Sequence, residues 1–149
     1  MGDKINITDE QYMRIALKEA NLAFSKGEVP IGAIIVCHNK IISKAHNQTE
    51  ILNDATAHAE MLAITGAMAT TGSKYLNDCT LYVTVEPCLM CAGAIHWSKI
   101  RRIVFGTKDP KKGFSIYTNN LFPKKIEITT GILAKECMQL LLSFFKTLR

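Results

Sequence analysis

His58, Glu60, Cys88 and Cys91 carry an imidazole, a carboxylate and two thiols within two short strings, HAE and EPCLMC. Two cysteines three apart at the opening of a helix share one face, so both thiols can reach a single ion. The positive end of the helix favours the thiolate that a metal requires. Cys-x-x-Cys alone also serves redox dithiols and structural zinc knuckles, but the His-Ala-Glu upstream makes redox the lesser reading. Ligand count separates support from catalysis, because four protein ligands close a zinc ion whereas three leave a position for water. His96, five residues past Cys91, points roughly 110° away from the cysteine pair around a helix. His38 falls in a turn, and spacing leaves His46 open as a fourth ligand. Three ligands and an open position is the reading adopted. Glu60, two residues from His58, cannot share a regular helical face with it. His58 is therefore expected in the first turn of its helix, with the longer glutamate reaching back toward the ion. A carboxylate there suits a proton shuttle, although an acid in a first turn more commonly offsets the helix dipole.

Several elements must position these groups. Thr8 and Gln11 form a capping box ahead of an amphipathic run with Met13, Ala16, Leu17, Ala20 and Phe24, and Gly27 stops it. IGAIIVC and KIISKAH, separated by His38 and Asn39, predict two strands of a tight hairpin. Residues 56–71 predict a helix closed by Gly72, and CTLYVTV predicts a buried strand. CLMCAGAIHWSK opens a short helix after Pro87, RRIVFGT and KKIEITT predict two more strands, and ILAKECMQLLLSFFK predicts a last helix, with Lys146 and Arg149 suited to its negative end. Five strands among helices predict an α/β fold with a mixed sheet between helix layers.

A chain of 149 residues suits one domain with its own core. The N-terminus lacks a basic segment followed by an apolar run, Asn6 breaks the myristoylation pattern that Gly2 begins, and no apolar run approaches the roughly 20 residues that span a bilayer. A soluble, cytoplasmic protein with no membrane partner is expected, which makes the N-x-T matches at Asn6 and Asn47 chance. Five cysteines, an odd number, argue against a disulfide framework. Cys37, Cys79 and Cys137 read as small buried hydrophobes. The net charge of +5 draws on Lys99, Arg101, Arg102, Lys108, Lys111, Lys112, Lys124 and Lys125. Such a cluster fits nucleic acid and fits a solvated lysine-rich surface equally well.

HAE followed by PCLMC resembles the His-x-Glu and Pro-Cys-x-x-Cys signature of the zinc-dependent cytidine deaminase-like superfamily. VPIGAIIV, HNQ, DATAHAEMLAI, LYVTVEPCLMCAGAIHWSKI, RIVFGTKDPKKG and GILAKECMQLLLSFF extend the resemblance, over nearly the whole chain, to the bacterial tRNA-specific adenosine deaminases. That resemblance implies a single deaminase domain over residues 1–149, built as a three-layer α/β/α sandwich with a mixed five-stranded sheet. It implies one Zn2+ per chain on His58, Cys88 and Cys91, with Glu60 as proton shuttle in the conversion of adenosine to inosine. The substrate it implies is the first anticodon position of a tRNA anticodon stem-loop, tRNA-Arg foremost, and the assembly a homodimer. Asn47 would bond the base edge, Ile31 and the backbone around Pro87 would line its pocket, and Asp109 would lie beside the substrate backbone, within reach of a 2′-hydroxyl. Taken singly, Asn47 also reads as a strand terminator and Asp109 as a turn residue before Pro110. Two departures stand out: Ala55 replaces a proline frequent in the family, and the segment 114–126 is shorter by about five residues. A free-base or nucleoside deaminase of guanine or cytosine type shares the same zinc site, but the basic residues and the family-like segments weigh against it. A catalytically silent, zinc-stabilised RNA-binding protein would need neither Glu60 nor an open ligand position.

Overall fold

The computed structural model describes residues 7–118, 120–123 and 125–148; Gly2, Asn6, Lys124 and Arg149 lie outside them. The chain runs α1 (Asp9–Ser25), β1 (Gly32–Cys37), β2 (Lys40–His46), α2 (Ala59–Thr71), β3 (Cys79–Val85), α3 (Leu89–Ser98), β4 (Arg102–Thr107), a 3-10 turn at Phe114–Ile116, β5 (Glu127–Thr130) and α4 (Ala134–Thr147). The sheet has the order β2-β1-β3-β4-β5, antiparallel across β2, β1 and β3 and parallel across β3, β4 and β5. This is the expected mixed five-stranded sheet.

Side-chain alternation along the central strands sets the layers. Ala33, Ile35, Leu81, Val83, Ile103 and Phe105 pack with Ala59, Ala63 and Ala67 of α2 and with Ala92 and Ile95 of α3. Ile34, Val36, Tyr82 and Val104 take the other face, against Tyr12, Met13 and Ala16 of α1 and Cys137 of α4. Two helical layers thus enclose the sheet, as expected. At Gly32 the first strand comes so close to α1 that a Cβ would run into the Ala16 carbonyl oxygen and the Ala20 nitrogen. Only glycine permits that approach.

Thr8 and Gln11 cap α1 reciprocally. His38 and Asn39 both adopt left-handed backbone between β1 and β2, at φ 51° and 62°. Three expectations need correction. The helix predicted from residue 56 begins at Ala59, because Asp54 Oδ1 captures the Thr56 amide and hydroxyl at 2.8 and 2.7 Å and holds the chain in a turn. The last strand starts at Glu127, after the Pro123 turn, instead of at residue 124. Cys79 and Cys137 are buried as expected, but Cys37 is only half buried and faces Cys79 directly across β1 and β3. Among the described residues no helix is long and apolar enough to cross a membrane.

Strand direction determines where the loops meet. β2 and β3 are both antiparallel to β1 and therefore run the same way, and β4 is parallel to β3. The C-terminal ends of β2, β3 and β4 consequently share one edge of the sheet with the start of β1. Residues 47–58, 86–88 and 108–113 all emerge there.

Candidate metal centre

His58 and Cys88 each occupy the residue immediately before a helix, with extended backbone (φ −72° for both), and neither side chain caps its own helix. His58 thus stands just outside the first turn in which it was expected. Freed from capping, these two side chains turn toward each other, and Cys91 joins them from the first turn of α3. His58 Nδ1 lies 3.6 Å from Cys88 Sγ and 3.5 Å from Cys91 Sγ. All three ligand atoms fall within 4.8 Å of one another. Tetrahedral zinc, with bonds near 2.3 Å to sulfur and near 2.0 Å to nitrogen, places its N and S ligands about 3.5 Å apart. The donor set and its spacing fit zinc.

Other candidate ligands lie elsewhere. Ala45 faces the α2 layer, so His46, the next residue on β2, faces α1, where its Nδ1 meets Glu19 Oε1 at 3.1 Å. His38 stands on the hairpin with Asp78, 3.7 Å away, and His96 lies further along α3 beside Trp97. Among the described residues, only His58, Cys88 and Cys91 gather into a group able to hold a metal. Three ligands leave a tetrahedral ion one open position.

Glu60 sits in the first turn of α2, 3 % exposed, and its Oε1 is buried without a hydrogen-bond partner. Burial pushes its carboxyl up to about 7, the Cys88 thiolate adds to the rise, and His58 opposes it. The Cys88 thiol is pulled down to about 4 by hydrogen bonding from Cys91 and then from His58. His58 is correspondingly raised by its contact with Cys88. Cys91 is pushed far above the usual thiol range by the neighbouring Cys88 and by burial. A divalent cation would draw both thiols to thiolates and lower the Glu60 carboxyl. A buried carboxyl with one orphaned oxygen therefore stands against Cys91 of the candidate ligand group.

The remaining predicted residues surround that edge. Asn47 is buried, its N–H bonds the Ile31 carbonyl at 3.0 Å, and its side chain makes two long contacts, to Val29 O and from Thr49 N, both at 3.4 Å. Ile31 is half buried at the mouth of β1, and Pro87 is buried between β3 and α3. Asp109 Oδ1 accepts the Lys111 and Lys112 amides at 3.0 Å each, so one oxygen serves its own turn. The basic residues divide into two groups. Lys108, Lys111 and Lys112 are exposed at the site edge, while Lys99, Arg101 and Lys125 lie at the far end of β4 and Arg102 is tied to Asp9.

Sequence reasoning missed two buried acids, Glu28 and Glu86. Glu28 accepts the Glu50 and Ile51 amides at 3.0 and 2.7 Å, and Glu86 accepts those of Asp109 and Ser115 at 3.1 and 2.9 Å. The only signal was an acid in an otherwise apolar setting, as in VTVEP.

The family model of the cytidine and deoxycytidylate deaminase zinc-binding region matches residues 6–107. The tRNA-specific adenosine deaminase of Bacillus subtilis is 47% identical over 146 residues, 95% of this chain and 91% of that protein. That of Aquifex aeolicus is also 47% identical, with 94% and 95% covered. A solved tRNA:A34 deaminase that edits A to I at the wobble position superposes with a TM-score of 0.81 at 37% identity, covering 87% of this chain and 97% of the other. The guanine deaminase of Nitrosomonas europaea shares the fold, with a TM-score of 0.80 at 22% identity over 95% of this chain and 86% of its own. With the fold and near-complete coverage in agreement, the chain belongs to the tRNA-specific adenosine deaminases of the zinc-dependent cytidine and deoxycytidylate deaminase family.

Proposed function

We propose that this protein hydrolytically deaminates adenosine to inosine at the first anticodon position of tRNA, tRNA-Arg foremost, as a cytoplasmic enzyme with one zinc per chain. The observation that carries the reading is the partnerless, buried Glu60 oxygen beside a three-ligand His58, Cys88 and Cys91 set. When bound, zinc supplies the Lewis acidity that makes water a nucleophile near neutral pH. Glu60 then moves the protons. It takes one from the attacking water and delivers it to the adenine ring nitrogen, then takes the second from the new C6 hydroxyl, which becomes the carbonyl, and passes it to the departing amino group. Water adds at C6, the C6–N bond breaks, and ammonia leaves.

Asn47 orients the base edge, and its two long existing contacts leave it bonding capacity. Ile31 and the backbone at Pro87 wall the base pocket. Asp109, with Oδ1 spent on its turn, offers its other oxygen to the ribose 2′-hydroxyl. Lys108, Lys111 and Lys112 meet flanking phosphates. A loop nucleotide costs less to splay out than a paired one, which favours an anticodon loop over duplex RNA. The whole chain acts as one deaminase domain. A homodimer is supported by the outward row of Met90, at 37 %, and Trp97, at 74 % exposed, on α3.

The test is incubation with an anticodon stem-loop bearing adenosine at its first anticodon position, and separately with adenosine, cytidine and guanine, following ammonia and the product nucleoside. Inosine in the stem-loop alone is expected. Turnover of a free base or nucleoside, with none of the stem-loop, would overturn the substrate assignment.

A further inference from the structure

Glu86 stands between the last residue of β3 and the Pro87-Cys88 turn, 4 % exposed. Its main chain donates to the Thr107 carbonyl at 2.8 Å, and the next residue's carbonyl accepts from the Phe114 amide at 2.9 Å. Its carboxylate occupies the space between these two rungs, Oε1 accepting from Asp109 N and Oε2 from Ser115 N. Gly113 lies directly over it, where a Cβ would collide with the Glu86 carboxyl. One side chain thus holds both ends of the segment 109–115. Between those ends Asp109 Oδ1 gathers the Lys111 and Lys112 amides, and Lys108, Lys111 and Lys112 are exposed.

A carboxylate buried without need for packing carries a desolvation cost, and here backbone N–H groups offset it. The segment has no regular secondary structure beyond its short 3-10 turn. Without the clamp the segment would keep its anchor at the buried Phe114, whose amide bonds the Pro87 carbonyl, but would lose its hold on the Asp109 and Ser115 amides and with it the fixed placement of the lysines beside the metal edge. Ordering them beforehand removes that cost from the binding step. From this geometry we infer that Glu86 is a positioning residue for RNA: it fixes the three lysines in register with the metal centre, so that phosphate contact and base delivery occur together. The inference rests on the proposed RNA substrate.

The test is a double-mutant cycle. Glu86→Gln keeps the side chain's size but offers one acceptor to two amides, and Gly113→Ala displaces the carboxylate with its charge intact while also crowding the Asp109 carbonyl oxygen that accepts the Gly113 amide. Either should raise KM for the stem-loop by about tenfold, with a much smaller change in kcat and full zinc content. Amide hydrogen exchange at Asp109 and Ser115 should quicken in both. In a background with Lys108, Lys111 and Lys112 all changed to Gln, Glu86→Gln should raise KM no further. An equal KM rise in both backgrounds, a joint loss of kcat and zinc, or unchanged exchange would each overturn the inference. Exchange needs no RNA: faster exchange in a protein whose wild type leaves the stem-loop unconverted would sink the RNA reading and keep the clamp.

Discussion

Asp9 and Arg102 meet in a two-pronged contact, Oδ1 to Nη1 at 2.9 Å and Oδ2 to Nη2 at 2.6 Å, which joins the first turn of α1 to the start of β4. Tyr82 donates its hydroxyl to the same Oδ1 at 2.8 Å. The Arg102 guanidinium holds the Asp9 carboxyl below its usual value. Because the folded value lies below the unfolded one, the stabilisation is complete above about pH 4 and is lost as pH falls through the folded value. Asp9→Asn should cost about 1 kcal/mol near neutrality, a fall in Tm of about 3 °C. Thermal melts down to pH 3 should show that deficit shrinking below about pH 4.

Metal analysis of purified protein should find one zinc per chain. Cys88→Ala should lose the zinc and the activity together. Glu60→Ala should keep the zinc and lose turnover by at least about 100-fold, since proton transfer acts only in the transition state. Near wild-type turnover in Glu60→Ala would contradict the assigned shuttle even with the metal in place.

Removal of zinc with a chelator should abolish deamination and lower Tm, because His58 and the two cysteines join α2 to α3 through the ion. Zinc should restore both and magnesium neither, as hard cations bind thiolates poorly. Calorimetry with and without each metal checks this.

Gly32→Ala should destabilise the fold by about 3 kcal/mol, because backbone atoms of α1 must retreat to admit the methyl group. Chemical denaturation measures it directly. A cost under about 0.5 kcal/mol would mean that α1 shifts freely over β1.

The gathering of His58, Cys88 and Cys91 was legible because each lies in a contiguous string whose spacing survives folding: HAE and PCLMC carry their geometry with them. The hairpin at His38 and Asn39 and the Thr8 cap are local in the same way. Glu28 and Glu86 were not legible, since their partners are amides of any residue type brought opposite by loops 22 to 29 positions away. The helix end at Lys99, left-handed at φ 63°, lacks the glycine that would have announced it. The basic residues read as one cluster along the sequence, yet the length of β4 holds Arg101 and Lys108 about 20 Å apart, at opposite edges of the sheet. Linear proximity misleads where a strand intervenes.

The strand order leaves β2 and β5 as the two outer strands, and neither invites a further strand alongside it. β5 has four residues, and β2 carries the exposed Lys40 and Lys44, while the register between β1 and β2 shifts beside Ile35. Short length, outward charge and irregular register all discourage edge-to-edge growth of a sheet. The proposed homodimer should therefore join through helices, and the molecule should resist stacking into fibrils. Cross-links placed at Trp97 should capture the pair; capture at Lys44 instead would place the seam along β2.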